Sequence, residues 1–330
     1  MRAAYINEIG PPENIIVGDL PDPAPTGGEV LVRVAAASIN PIDTYLRSGM
    51  APAELPRPYI IGSDLAGVVE AVGPAASRFK PGDRVWGANQ GVLGRQGTFT
   101  ELAAIDERWL YETPDGVADE QAAALALVGI TAGLGLLDEA RLQPGETILV
   151  SGGSGAVGST VIQMAKALGA RVIATTSGPE KAAYCRSLGA DHVLDYRTDD
   201  VPAGVHEIAP EGAHLWWETS RSPNLEMAVA ALGRSGRIVL IAGRNARAEL
   251  PVGPFYSKCC RIYGFVMFLA SAEVQRRVAE RISQWLAAGQ VTAKVDRVAS
   301  LDDAAELHRL QERSTIDATG VVRGKLVVKL

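Results

Sequence analysis

Apolar residues follow two different rhythms along this chain, and the change falls near residue 120. Ahead of it, short Val-rich runs are broken by Pro and Gly: PDPAPTGGEVLVRV, GSDLAGVVEAVG, FKPGDRVWG and GTFTELAAI. Runs of that length with turn residues between them predict a compact β-rich domain or barrel. From about 146 the pattern alternates. ETILVSG reads as a short apolar strand; Val157, Val161, Met164, Ala165 and Leu168 then share one helix face, which Gly169 ends. RVIATTS, HVLDY, AHLWWE, RIVLIAG and CRIYGFVM read as further strands. PEKAAYCRSLG and NLEMAVAALG read as helices, the first with Pro in its opening turn and Gly beyond its end. Such alternation gives an α/β doubly wound parallel sheet with helices on both faces.

After roughly 264 helix and strand return. Val274, Val278, Ile282 and Leu286 make one stripe, and Ser300 with Asp303 forms a capping-box pattern before LDDAAELHRLQER. The chain closes on GKLVVKL, a strand with no helix partner left. This tail is expected to return to the first domain and make that domain discontinuous.

Composition narrows the class of protein. The most apolar stretch, QAAALALVGITAGLGLL, is Gly-punctuated and Ala-rich, which suits a buried helix and falls short of the run of about 20 apolar residues a membrane span needs. The opening MRAAYINEIGPPENI lacks the apolar core of a signal peptide and reads as the start of a strand. A net charge of −6 without a basic cluster argues against a general nucleic-acid or membrane-surface binder. Cys185, Cys259 and Cys260 have neither disulfide nor metal-ligand spacing, as expected of a reducing cytoplasm.

The chemistry starts at VSGGSGAVGS, where Gly153, Gly155 and Gly158 make G-x-G-x-x-G. Glycines are frequent in this chain, so the match alone is weak. Its position after a strand and at the start of a helix is what a dinucleotide requires: small residues admit the pyrophosphate to the backbone, and the helix N-terminus offers unpaired N–H groups. The other reading is a Gly-rich turn that serves packing only. An acidic residue at the end of the second strand would bind a ribose 2′-hydroxyl. The tip here is Thr175, Thr176 and Ser177, with Lys181 one turn on and DYR closing the third strand. Hydroxyls and a cation favour a 2′-phosphate, hence NADPH; Glu180 is assigned to the dipole of the helix that follows.

A catalytic zinc takes three protein ligands from Cys, His or carboxylate. The first 120 residues hold neither Cys nor His, and His192, His206, His214 and His308 all lie in the second half, where they read as surface or packing residues. No metal is therefore expected. That leaves INPIDTYLRSG at 39–49, where Asn40, Asp43, Thr44, Tyr45 and Arg47 crowd behind an apolar strand. It reads either as part of a cofactor and substrate clamp or as a polar turn with Asp43 and Arg47 paired on the surface.

Taken in order, NPIDTYLRSG, GSDLAGVVEAVG, FKPGDRVWG, GITAGLGLL, SGGSGAVGS, LGADHVLDYR and GKLVVKL resemble the zinc-free NADPH:quinone oxidoreductases, the zeta-crystallin-like branch of the medium-chain dehydrogenase/reductase superfamily. The resemblance runs nearly end to end. It implies a GroES-like catalytic domain built from 1–123 and 264–330 around a Rossmann domain at 124–263, in a cytoplasmic homodimer that pairs sheet edges. Asn40 stands where zinc-dependent relatives place a metal-binding Cys. By the same resemblance Asn40 and Tyr45 belong beside the nicotinamide, with Asp43 and Arg47 as further candidate catalytic residues. Thr131 matches the nicotinamide side of the cofactor, and Ser154, Gly155, Ala156 and Val157 match the pyrophosphate. Ser177, Lys181 and Tyr196 match the 2′-phosphate. Gly243 and Arg244, with Phe265, Val266 and Met267, match segments flanking the nicotinamide; the last three also read as packing.

Some positions depart from the family pattern. A second tyrosine common two residues after the RSG glycine is Ala51 here, Ile61 precedes GSD where proline is usual, and WWETSR replaces a segment that often ends in Gly. Trp216 and Trp217 read as packing, with the adenine as another partner for one of them. The implied reaction is hydride transfer from NADPH to a quinone; the alternative is reduction of an α,β-unsaturated carbonyl (an enone, alkenal or enoyl group), for which the small Ala51 could make room. A cofactor-binding protein without turnover and a zinc alcohol dehydrogenase are the remaining readings.

Overall fold

The computed structural model describes residues 1–317 and 319–330. The chain divides into two compact units, Met1–Ile130 with Ser271–Leu330, and Thr131–Ala270.

The first unit opens with β1 (Arg2–Ile6), β2 (Ile16–Asp19) and β3 (Glu29–Ser38), then a short helix, α1 (Pro41–Ser48). Strands β4 (Tyr59–Ile60), β5 (Asp64–Val72), β6 (Arg84–Gly87), β7 (Leu102–Asp106) and β8 (Leu110–Glu112) follow, before helix α2 (Asp119–Gly133). β2, β1 and β4 make a small antiparallel sheet. β3 pairs with β5 and β7, and alternate side chains Val30, Val32 and Val34 enter a core with Leu65, Val69, Val85, Ile105 and Leu110. A period of two is what a strand with one buried face requires. α2 continues to Glu139 as a stretch long and apolar enough to cross a bilayer, yet 78% of its most apolar window is buried inside the protein, as in a core helix.

The second unit alternates β9 (Thr147–Ser151), α3 (Ala156–Ala167), β10 (Arg171–Thr176), α4 (Pro179–Ser187), β11 (His192–Asp195), α5 (Val201–Ile208), β12 (Ala213–Glu218), α6 (Leu225–Ala231), β13 (Leu232–Leu240), α7 (Val252–Ser257) and β14 (Arg261–Gly264). The strand order is β11-β10-β9-β12-β13-β14, all parallel. The inner strands are apolar on both faces: Ile148, Leu149 and Val150 of β9 and Leu215, Trp216 and Trp217 of β12 are buried, as a sheet covered on two sides demands. Trp216 and Trp217 are thus core residues. The order reverses at β9, so the carboxyl ends of β9 and β12 flank a topological switch point, where open α/β sheets take their ligands.

The chain then returns to the first unit through α8 (Ala272–Ala287), β15 (Val295–Ser300), α9 (Ala304–Thr315) and β16 (Lys325–Lys329). Ser300 and Asp303 do form the capping box ahead of α9, with Ser300 N–H and Oγ both donating to the Asp303 carboxylate. The tail strand β16 pairs antiparallel with β3, Val327 opposite Ser38 and Val328 opposite Ala37, which makes the β-rich domain discontinuous as expected. Leu326 and Val328 join a core with Ala4, Ile6, Ile39 and Phe99. Each such side chain contributes about 1.5–3 kcal/mol of burial, so the last strand is held hydrophobically to the first elements of the chain.

Candidate functional site

The loop between β9 and α3 is built from close approaches. Gly152 has φ +75°, the left-handed region that glycine favours. A β-carbon on Gly158 would fall against the Gly152 carbonyl oxygen, nearer than real carbon atoms approach, and one on Gly153 would lie 2.8 Å from Ala174 Cβ. The Gly153 N–H donates to the Thr175 carbonyl at 2.9 Å, and Ser154 Oγ lies 3.2 Å from Thr176 Oγ1. Behind the loop Thr219 donates to the Ser151 carbonyl at 2.6 Å. Gly155 is the N-cap of α3, whose first N–H groups therefore open toward the loop. This cradle fits a dinucleotide pyrophosphate: its small residues are sterically required, and its donors converge at a helix N-terminus.

The sequence-predicted cofactor residues of this unit, Thr131 apart, lie just past the carboxyl ends of parallel strands. Ser154 to Val157 follow β9, Ser177 and Lys181 follow β10, Tyr196 follows β11, Gly243 and Arg244 follow β13, and Phe265 to Met267 follow β14. Thr131 lies half-buried on α2. Ser177 and Met267 are buried, whereas Lys181, Tyr196, Arg244 and Val266 are exposed. At the β10 tip, Asp195 accepts the N–H groups of Gly178 at 2.8 Å and Arg197 at 3.0 Å, and these bonds hold its carboxyl below the usual range. The Arg197 guanidinium lies 6.0 Å over the Tyr196 ring, giving the tip a second cation beside Lys181. Asp195, Arg197 and Thr219 were not singled out from the sequence; DYR and the strand end before TSR were the available signals.

The INPIDTYLRSG segment is a helix, not a polar turn. Asn40 is its N-cap, Pro41 opens it, and the Asp43 carboxylate reaches back to accept the Asn40 N–H at 2.7 Å. Asn, Pro at the first position and Asp at the third are a helix-start signal that this sequence carried openly. Asn40, Asp43 and Arg47 are all buried, and Asp43 and Arg47 do not pair with each other, which corrects the surface ion pair. Arg47 donates to the Gly10 carbonyl and to Glu312 of α9. Tyr45 is half-buried, and its hydroxyl makes no hydrogen bond among the described residues. Ala51 is buried and donates its N–H to the Tyr45 carbonyl at 3.0 Å.

Asn40 sits within a buried charge cluster whose other members come from distant parts of the chain. Its Nδ2 donates to Asp64 Oδ2 at 2.8 Å, and Ser38 Oγ donates to the same oxygen at 2.7 Å. Ser63 Oγ donates to Asp43 Oδ1 at 2.6 Å. Lys325 Nζ donates to Asn40 Oδ1 at 2.5 Å and to the Ile39 carbonyl at 2.9 Å, and lies 3.7 Å from Asp64 Oδ2. Burial pushes the Asp43 carboxyl up to about 7 against the hydrogen bond from Ser63, with the Asp64 charge adding to the rise. Burial also raises the Asp64 carboxyl and lowers the Lys325 ammonium, each opposed by the charge of the other. Asp64 and Lys325 carry no local sequence signal of this role.

Among the described residues no group of three or more His, Cys, Asp or Glu could hold a metal ion. The carbonyl oxygen of Asn40 is engaged by the Lys325 ammonium. A cation beside that ammonium would be repelled, so the donor set does not fit zinc.

Two family models match the chain: an alcohol dehydrogenase GroES-like domain over residues 26–115, and a zinc-binding dehydrogenase over 156–284. The quinone oxidoreductase of Rattus norvegicus is 30% identical over 332 residues, covering 100% of this chain and 98% of its own. That of Pseudomonas aeruginosa is 43% identical over 206 residues, 62% of this chain and 61% of its own. Among solved structures, the Escherichia coli quinone oxidoreductase complexed with NADPH superposes with a TM-score of 0.82 at 26% identity, covering 100% of both chains. With its strand order, glycine cradle and discontinuous β-rich domain, the chain belongs to the quinone oxidoreductases of the medium-chain dehydrogenase/reductase superfamily.

Proposed function

We propose that this protein is a zinc-independent NADPH:quinone oxidoreductase. The observation that carries the reading is the cradle of Gly152, Gly153 and Gly158 at the switch point of the parallel sheet, where added β-carbons would collide with the loop or its support. Ser154 to Val157 would hold the pyrophosphate. Ser177, Lys181 and Tyr196 would hold the 2′-phosphate, with Arg197 as a second cation. Bound NADPH supplies a hydride to an electron-poor acceptor. Thr131, Gly243, Arg244 and Phe265 to Met267 are assigned to the nicotinamide end. The Tyr45 hydroxyl, without a hydrogen-bond partner among the described residues, is the group assigned to the acceptor oxygen, to which it would donate a hydrogen bond as negative charge develops. Asn40, Asp43 and Arg47 hold the helix that bears it; each is enclosed by protein and engaged by other protein groups. Hydride addition leaves a hydroquinone monoanion, and a single proton from water completes the hydroquinone, so no histidine acid is needed.

The related enzymes are named for quinones, and the buried Ala51 offers no observation that favours enones over them. Assembly as a homodimer is supported by β14, the last strand of its sheet, and by exposed Val252 and Tyr256 on α7 just before it. A cytoplasmic location is supported by Cys185, Cys259 and Cys260, all unpaired.

The test is NADPH oxidation by purified protein against a panel of quinones and enones. Quinone-dependent oxidation that falls about 10-fold in Tyr45→Phe, the scale of one hydrogen bond, is expected. Absence of oxidation with every quinone would remove the assignment; an unaltered Tyr45→Phe rate would remove Tyr45 from it.

A further inference from the structure

The final strand carries a charge into the interior. Lys325 opens β16 and is 4% exposed, a rare position for a residue that ordinarily keeps its ammonium in water. Its three N–H bonds have three partners: the Ile39 carbonyl, Asn40 Oδ1 and the Asp64 carboxylate. The first two are strong; the third is a looser ion pair at 3.7 Å.

This arrangement has a directional consequence. With Lys325 donating to Oδ1 of Asn40, the amide nitrogen must face Asp64, where it donates at 2.8 Å. A flipped amide would set its NH2 against the ammonium and its oxygen against the carboxylate. Asn40 therefore has one orientation, and it is the N-cap of α1, the helix that carries Tyr45. The Asp43 carboxylate, bonded to the Asn40 N–H and to Ser63, fixes the same point from the other side.

We propose that Lys325 is a positioning residue for the reaction: through the Asn40 amide it fixes the start of α1 and hence the Tyr45 hydroxyl. The proposal rests on the role assigned to Tyr45 above. It differs from a role confined to neutralising buried Asp64, and the two roles respond differently when both charges are removed. Deleting one member of a buried pair strands the other, whereas replacing both relieves that cost.

Lys325→Met and the double variant Lys325→Met with Asp64→Asn separate them. The single variant should lose melting temperature, and the double variant should regain most of it, which keeps the test readable if the single one fails to fold. In the double variant kcat should stay about 10-fold below wild type with the KM for NADPH unchanged, since α1 still lacks its anchor. Amide hydrogen exchange in the cofactor-free protein should be faster over residues 41–48 and unaltered over β9 to β14. Recovery of kcat together with melting temperature, or unchanged exchange over 41–48, would overturn the proposal. A wild-type protein that oxidises NADPH with no quinone would instead defeat the functional assignment, and the exchange measurement would still decide whether Lys325 anchors the helix.

Discussion

The phosphate cradle and the α1 corner solve the same problem, holding polar atoms in a fixed place, by opposite means. The cradle is made of backbone. Its glycines are required because side chains would collide with Gly152 or Ala174, and its donors are backbone N–H groups at a helix end, which every residue except proline supplies. The α1 corner is made of side chains: Asn40, Asp43 and Arg47 are enclosed and held by Ser63, Asp64, Glu312 and Lys325, with Ser38 bonded to Asp64 behind them. A backbone site tolerates changes of side-chain chemistry and fails on changes of volume. A side-chain site fails when one partner is deleted, because the rest are left buried and unpaired.

The largest effect should come from breaking the second kind of site. Arg47 is fully buried, donates to the Gly10 carbonyl and pairs with Glu312, which retains 21% exposure. Arg47→Met removes an ion pair with one buried end and leaves the Gly10 carbonyl without its donor. The expected loss is about 3 kcal/mol, at the low end for buried pairs because Glu312 keeps some water. Denaturant unfolding measures it. A loss below about 0.5 kcal/mol would place this pair with ordinary surface bridges and leave the two sites alike in their tolerance.

The next effect belongs to the cradle and should touch binding before stability. Gly158→Ala puts a methyl group against the Gly152 carbonyl oxygen, so the loop must shift where the pyrophosphate would lie. NADPH affinity should fall about 100-fold, the equivalent of about 2.7 kcal/mol, when the backbone donors are displaced. Tryptophan fluorescence titration checks this. Unchanged affinity would show that the loop yields without cost and that its glycines serve packing.

The two regions also differ in how far the sequence disclosed them. The Gly153–Gly158 pattern is contiguous, lies between elements whose periods are plain, and owes its geometry to small residues that can be read directly. Six parallel strands and the capping box at Ser300 were legible for the same reason. The α1 corner spans residues 38 to 325, and no local pattern says that a Lys in GKLVVKL will meet an Asn nearly the whole chain away. The local part, Asn40, Pro41 and Asp43, spells a helix start, but the same polar residues match the composition of a chemical site equally well. Crowded polar residues behind a strand can be a site, and here most of them are its foundations.

The smallest effect belongs to His308 and depends on pH. It lies fully buried in α9, its ring edge-on to Phe99 at 6.2 Å, and neither ring nitrogen has a hydrogen bond among the described residues. Burial, with the Arg47 charge adding to it, pushes its pKa down to about 3 from the ordinary 6.5. Between those values the unfolded chain binds a proton that the folded chain rejects. Its contribution is therefore present above pH 6.5 and lost as pH falls toward 3, at about 1.4 kcal/mol per pH unit. Asp43 has the opposite sign. Raised to about 7, it favours the folded state at low pH and loses that contribution as pH rises through 7. Comparing wild type with His308→Leu cancels the Asp43 contribution, since both chains retain it. The unfolding free energy of wild type relative to His308→Leu should fall as pH is lowered from 7 to 5, because leucine has no proton to reject. A difference independent of pH would mean that His308 reaches water in the folded protein, and the α1 corner would then be an open, hydrated site rather than the dry scaffold on which Tyr45 is carried.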